Sequence, residues 1–329
     1  MILRRYLRFA PAALAAVAAL TLAACSLGDE YHVDTMEIAS RLTGHTGPVT
    51  DVGIEPDGEL TVTTGADAVV RVWNTREGTV KFELTGHEFP ICALGMSLPG
   101  PYAVTADAGG NIKVWNINTG TLAMSIADAH HGPIHDAVFA PDGQTVVTAG
   151  QDGVIRVWST GTESLLKELG THDAPATCVA VGYRGKVLAT GDSAGVVKTW
   201  DAISGEETGR FETHDGAVRD IAISMDGKYL GTVGADNRAV VRLLYDDTIE
   251  HDFSGSKGLS AVTFSPNSST LVTADDEGNV GYWDMRDGTY GRTLEGHTAA
   301  VTSIDIAHSA EFLVTGSEDG TAIIWQARN

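Results

Sequence analysis

Two short stretches of this 329-residue chain carry side chains that could do covalent or metal chemistry. The first, Gly191-Asp192-Ser193-Ala194-Gly195, fits the G-x-S-x-G pattern of a nucleophilic serine. Such a serine works at a sharp strand-to-helix turn, with a His and an acid converging on its hydroxyl. The residues around Ser193 predict a strand on either side, so the pattern lacks its context. The second stretch is His130-His131-Gly132-Pro133-Ile134-His135. His131 and His135 could approach a cation, but two imidazoles without a Cys or carboxylate partner are too few for zinc. No C-x-x-C-H haem attachment, glycine-rich phosphate loop or H-E-x-x-H helix occurs. Neither an enzyme nor a cofactor is expected.

The polar residues that recur do so at a fixed interval. The chain has Trp73, Trp115, Trp158, Trp200, Trp283 and Trp325, spaced by 42, 43, 42, 83 and 42 residues. A Thr stands ten positions before each: Thr63, Thr105, Thr148, Thr190, Thr273 and Thr315. Thr232 fills the double-length gap, with Leu244 expected in the Trp place after two inserted residues. Seven units of about 42 residues therefore run end to end. Within the first unit, alternating apolar residues predict strands near Val49–Ile54, up to Thr63, at Val69–Trp73 and at Thr79–Leu84. Pro56-Asp57-Gly58, Gly65–Ala68 and Glu77-Gly78 supply the turns, and no stretch has a helical period. Four short strands per unit make an all-β, seven-bladed propeller.

Gly44-His45, Gly86-His87 and Gly296-His297 open their units, with Ala129-His130, Thr171-His172 and Thr213-His214 as looser forms. With the turn Asp and the Trp end, this resembles the WD40 family from about residue 36 onward. The resemblance implies a hydrogen-bonded tetrad inside each blade. It is complete as His45/Thr63/Asp67/Trp73, His130/Thr148/Asp152/Trp158 and His297/Thr315/Asp319/Trp325. Departures from the family pattern are Gly109, Ala194 and Glu277 in place of the turn Asp, and Ser256 in place of the sixth His. The fifth unit departs at Leu244 and at a turn, Asp236-Asn237-Arg238, expected to be enlarged. Units five and six should be the least rigid.

The last unit ends after its third strand. Met36–Leu42 has strand-like alternation and no unit of its own, so it should supply the missing outer strand and close the ring. From Met36 to Asn329 is 294 residues, seven times 42. The family resemblance implies that partners dock over the central opening. The second residue of each inner strand should face it: Thr50, Cys92, His135, Thr177, Arg219, Ser260 and Thr302. Asp107, Asp192, Asp236, Asp275, Asp276, Glu277 and Glu318 are expected as an acidic collar around that mouth.

Residues 1–24 lie outside the expected fold. Arg4, Arg5 and Arg8 precede an apolar run from Phe9 to Ala24, in the order of an export signal. Its end, Leu22-Ala23-Ala24-Cys25, resembles the lipobox of bacterial lipoproteins, which implies a mature chain starting at an acylated Cys25. Residues 25–35 would then be a lipidated tether and 36–329 the propeller. Ser26, where an inner-membrane lipoprotein would have Asp, implies an outer-membrane address on the periplasmic side. Cys92 and Cys178 fall in different units and should be buried free thiols.

The formal charge is −21, and loss of residues 1–24 removes three arginines and no acid, taking it to −24. Such an acidic chain is a poor match for nucleic acid, whose phosphates need clustered Lys and Arg. It favours solubility and partners with a basic surface. The expected function is a membrane-tethered, monomeric propeller scaffold for proteins of the cell envelope. The alternative is a small-ligand or metal-cation site in the central channel, using His135, Arg219 and the collar.

Overall fold

A computed structural model describes residues 35–98, 100–254 and 258–328. The expected export signal, Cys25, nearly all of the tether and Ser256 lie outside the described residues. Twenty-eight strands form seven four-stranded antiparallel sheets. In the first six sheets the strands follow one another from the inside of the ring outward. In the first blade they are Val49–Ile54, Leu60–Gly65, Val70–Asn74 and Thr79–Leu84. Pro56-Asp57-Gly58 turns between the first two. Gly58 takes a φ of 75°, its N–H donates to Glu55 O at 2.8 Å, and Asp57 Oδ1 accepts from Glu59 N at 3.0 Å. A positive φ is why glycine stands there.

The seventh sheet is completed from the other end of the chain. Met36–Thr43 is its outer strand, antiparallel to Thr321–Ala327, with Met36 across from Ala327 and Thr43 across from Thr321. Met36 and Leu42 are fully buried there. The last sheet is thus not left with an unpaired third strand.

Burial falls from the inside of each blade outward. The second strand of blade 1 is wholly buried, whereas its outer strand has one buried residue, Leu84. The apolar core lies between neighbouring sheets. Val49, Val52, Ile54 and Trp73 of blade 1 pack with Phe312, Val314 and Ile324 of blade 7. Val62, Val70 and Val72 pack with Leu94, Trp115 and Ile117 of blade 2. Each blade therefore depends on its neighbours for its core, the arrangement expected of repeat units that cannot bury a face alone.

Because each sheet is an antiparallel meander, its turns alternate between two faces of the ring. The Asp-containing turns between second and third strands share the upper face with the His-bearing links between blades. The turns joining first to second and third to outer strands lie on the lower face. Met36–Thr43 runs like the other outer strands, so the chain enters the ring from the lower face.

One expectation is corrected in blade 5. Arg242, not Leu244, holds the Trp position. It pairs across from Leu230, as Trp200 pairs with Leu188 and Trp283 with Leu271. No residues are inserted and the turn at Asp236-Asn237-Arg238 is not enlarged. Leu244 is a large apolar residue close to the expected slot, but the ladder counted from Thr232 decides the register. Arg242 fills the space by laying its guanidinium 4.5 Å from the centre of the Phe211 ring and donating to Asp247 O at 3.0 Å.

Candidate functional site

A bulge builds the mouth. The ladder between the first two strands skips one residue at the same place in every blade, between Val49 and Asp51 in the first and between Val301 and Ser303 in the last. The skipped residues are Thr50, Cys92, His135, Thr177, Arg219, Ser260 and Thr302. A bulge frees its extra residue from the ladder and re-aims its side chain. All seven line a cavity of about 410 Å³ at the ring centre. The structure thus brings together the second residues of the seven inner strands, and the bulge is the physical reason.

Most of the mouth is already hydrogen-bonded. Thr177 Oγ1 donates to Val218 O at 2.6 Å and Thr302 Oγ1 to Val49 O at 2.8 Å, each spanning a blade junction. Thr50 and Thr64 share a 3.1 Å bond, and His135 Nε2 meets Gln151 Oε1 at 2.8 Å. Arg219 stands at the mouth already paired. Its Nη1 lies 3.1 Å from both Leu259 O and Asp276 Oδ2. Ser260 Oγ is buried without a hydrogen-bond partner among the described residues.

The collar needs a larger correction. Asp107 and Asp192 are 1% and 2% exposed and do not face the mouth. Asp107 Oδ2 sits 2.7 Å from His87 Nδ1, and Asp192 Oδ2 sits 2.9 Å from His172 Nδ1. They complete the tetrads that the sequence shows as broken at Gly109 and Ala194. In these blades the acid comes from the end of the second strand, two residues earlier than Asp67 or Asp152. From there one oxygen reaches the His while the other accepts the turn N–H groups, Gly109 and Asn111 for Asp107. Asp275 occupies the same place in blade 6 and accepts from the N–H groups of Glu277 and Asn279. Asp236 is held by His214 Nδ1 at 2.9 Å. Asp276, Glu277 and Glu318 remain as exposed collar acids. Glu88, Asp173 and Asp215, each directly after a blade His, join them on the upper face.

Among the described residues, six blades contain the His–Thr–Asp network. In blade 1, His45 Nε2 lies 2.8 Å from Thr63 Oγ1, His45 Nδ1 lies 2.9 Å from Asp67, and Trp73 Nε1 donates to Thr63 at 2.9 Å. His130/Thr148/Asp152/Trp158 and His297/Thr315/Asp319/Trp325 are joined in the same way. A fifth member is present in two blades. Arg71 Nη1 lies 3.0 Å from Asp67, and Arg156 Nη1 lies 2.7 Å from Asp152. Burial outweighs the neighbouring carboxylate and lowers the pKa of His45, His130 and His297. Burial works to raise Asp67 as well, but hydrogen bonds from His45, the Thr46 N–H and Arg71 prevail and hold it at about 2. Each polar member satisfies another, which ties these histidines to the fold.

Below the mouth lies a ring of carboxyls that the sequence reading missed. Asp51, Asp136, Asp220 and Asp305 each bond the next N–H of their own strand and one from the inner strand of the following blade. The latter bonds are Asp51 to Leu94 N and Asp136 to Val179 N, both 2.7 Å, then Asp220 to Val262 N at 2.8 Å and Asp305 to Ile54 N at 2.9 Å. They clasp four of the seven blade junctions. Burial pushes Asp51 up to about 6 and Asp220 and Asp305 to about 7, against these same hydrogen bonds. Burial raises Asp136 too. The only signal in the sequence is an Asp directly after the bulge residue, in three inner strands.

The motifs with possible chemistry are accounted for. Ser193 lies in a turn between two strands, not at a strand-to-helix elbow, and His172 beside it is committed to Asp192 and Thr190. His130 belongs to a tetrad. Among the described residues no group of three or more His, Cys, Asp or Glu is placed to hold a metal ion. Cys92 and Cys178 are free thiols; Cys178 is buried as expected, whereas Cys92, at a bulge facing the mouth, is only half-buried.

The WD domain, G-beta repeat pattern matches residues 36–74, 78–116, 121–159, 163–201, 205–241, 248–284 and 288–326. Each match begins at or near an outer strand and ends on the third strand of the next blade, so a sequence repeat straddles two blades. A 70-residue stretch is 33% identical to "THO complex subunit 6" of Arabidopsis thaliana, covering 21% of this chain and only 19% of that protein. Propellers of such repeats are in general scaffolds for protein–protein interaction and typically not enzymes. By its seven matched segments and the ring they form, the chain belongs to the WD40-repeat family.

Proposed function

We propose that the chain is a lipid-anchored scaffold of a bacterial cell envelope, held through Cys25 at the periplasmic side of the outer membrane. Its mouth is presented to a protein partner. The observation that carries this reading is the seven-fold bulge. It sets one side chain per blade outside the ladder, so the mouth can vary in chemistry while the ring stays intact. The Leu-Ala-Ala-Cys end of the apolar N-terminal run supports the anchor. The exposed acids Glu88, Asp215 and Glu318 around the mouth favour a partner with a basic surface. The ring works as a single copy.

Crosslinking in intact cells, followed by purification of the acylated protein, tests the reading. A parallel sample carries His135→Ala with Glu318→Lys, which leaves the Arg219–Asp276 pair in place. A partner captured by the wild type and lost in the double variant supports docking over the mouth. Capture of no protein by the wild type overturns the scaffold reading. A second reading, a small ligand or cation in the channel, is favoured by the cavity of about 410 Å³ and the unbonded Ser260 hydroxyl inside it. Thermal stabilisation by a polar metabolite or cation, abolished by Ser260→Ala, would support that reading.

A further inference from the structure

Eleven large apolar side chains are exposed among the described residues, and their distribution is one-sided. Phe89 alone sits in an upper-face loop; the other ten lie in lower-face turns or within the first three residues of an outer strand. Six of the ten are explained by the blades themselves. Val80, Leu122 and Leu165, for example, stand directly across the ladder from Trp73, Trp115 and Trp158. Four do not stand across the ladder from the Trp position: Leu166, Tyr183, Ile203 and Tyr245, at 58%, 45%, 76% and 72% exposure, Tyr183 also setting its ring edge-on to that of His308 in blade 7 with 6.1 Å between ring centres. All four belong to blades 3 to 5.

Leu166, Tyr183 and Ile203 come from connected pieces of backbone. The turn carrying Ile203 is tied to the loop carrying Tyr183 by Ala202 N donating to Lys186 O at 2.9 Å. The same turn rests on blade 3, where Gly205 lies against Lys167 and Leu169 of the outer strand that carries Leu166. Tyr245 follows Leu244, whose N–H donates to Lys228 O on the lower face of blade 5. Arg184 and Lys186, in the Tyr183 loop, are exposed and make no ion pair among the described residues.

We infer that this lower-face patch of blades 3 to 5 rests on the lipid surface to which the chain is anchored, with the mouth turned away. The inference relies on the lipid anchor proposed above. Its own support is the point of entry, since the chain joins the ring at Met36 on the lower face. The eleven residues from Cys25 reach at most about 40 Å. A tether of that length keeps the lower face close to lipid, so a contact too weak to hold alone is sufficient. Tyr and Ile suit the interfacial zone, and Arg184 and Lys186 can meet phosphate headgroups. The face is not basic overall, because Asp201, Asp226 and Asp246 cap turns on it. Shallow apolar insertion, not attraction to anionic lipid, is therefore the driving term.

The test uses the full chain purified from the membranes of an exporting bacterium and placed in phosphatidylethanolamine–phosphatidylglycerol vesicles whose acyl chains carry bromine near the headgroup. Tyr245→Trp and Phe89→Trp place a reporter on the lower and upper faces, and mass spectrometry of the N-terminal peptide reads acylation separately. The expected result is loss of fluorescence for Tyr245→Trp and none for Phe89→Trp. An acylated, vesicle-bound Tyr245→Trp protein without that loss overturns the lower-face contact and leaves the anchor standing, including where another protein covers the patch. An unacylated Cys25 sinks the anchor; absence of quenching in that sample removes the contact with it, whereas quenching would show that the patch meets lipid unaided.

Discussion

Replacing Asp220 by Asn should flatten the pH dependence of stability by a calculable amount. Asp220 is half-buried on the wall of the central cavity and accepts from Ile221 N at 2.7 Å and Val262 N at 2.8 Å, clasping blade 5 to blade 6. Burial raises its carboxyl from 3.8 to about 7, with Asp51 adding repulsion, and Cys178 faces the same space. A raised pKa means the folded chain holds the proton more tightly than the unfolded one. The associated stability is fully present below 3.8 and is lost as pH rises through about 7. At about 1.4 kcal/mol per pK unit, raising the pH from roughly 5 to roughly 8 removes about 3 kcal/mol through this one group. The six blade histidines act in the opposite direction, since burial lowers their pKa and their contribution is lost as pH falls. They are common to both proteins and cancel in the difference. The introduced amide would also lose one of the two accepted N–H bonds, which lowers stability equally at both pH values. The assay is urea unfolding of wild type and Asp220→Asn at both pH values. The wild type should lose about 3 kcal/mol more than the variant between them. Identical pH dependence in the two proteins would refute the assignment of a raised pKa to this clasp.

Other perturbations test the ring elsewhere. Leu42→Ala should cost about 2–5 kcal/mol, read by denaturant midpoint, because Leu42 is buried between blades 7 and 1; a cost near that of an exposed leucine would mean the N-terminal strand does not close the ring. Asp107→Ala should cost about 1–3 kcal/mol by leaving His87 buried without its acceptor; Gly109→Ala, whose added methyl has to displace the exposed Phe89 ring, leaves the His87–Asp107 bond in place and should cost less; the reverse order would restore the sequence-level alignment. Hydrogen exchange should be fastest in the strands of blades 5 and 6, where Arg242 replaces Trp and blade 6 has no His in its expected place, and uniform protection across seven blades would sink that expectation.

The ring is legible because its period is carried by Trp and Thr, whose spacing survives every local change. The closing strand can be read because Met36–Leu42 alternates and belongs to no unit. The site is harder, for reasons of register. Alignment by turn position puts Gly109 and Ala194 where an Asp is sought, yet a carboxylate two residues earlier reaches the same imidazole. Asp107 and Asp192 therefore look like surface acids when they are among the most buried acids in the chain. Hydrophobicity favours Leu244 for the Trp slot, although the cross-strand ladder puts Arg242 there. Nor can pattern alone reveal that Asp51, Asp136 and Asp220 face inward, because a bulge reverses the alternation that strand residues otherwise follow.

That reversal explains how one fold can hold seven blades together and still leave a variable mouth. The bulge puts residues 50, 135 and 219 at the opening and, one position later, an aspartate into the space between inner strands. The aspartates do the joining, reaching backbone N–H groups that are present whatever side chain the neighbouring blade carries. Thr, His or Arg can therefore stand at the bulge without altering the clasp beside it. A change at His135 should affect what docks and leave the fold intact, whereas a change at Asp136, the next residue, should loosen the junction of blades 3 and 4. If His135→Ala and Asp136→Ala lowered the unfolding midpoint equally, the two roles would not be separable and the mouth could not be varied at small cost. The expected difference is at least about 2 kcal/mol, the penalty for leaving the buried Val179 N–H without its acceptor.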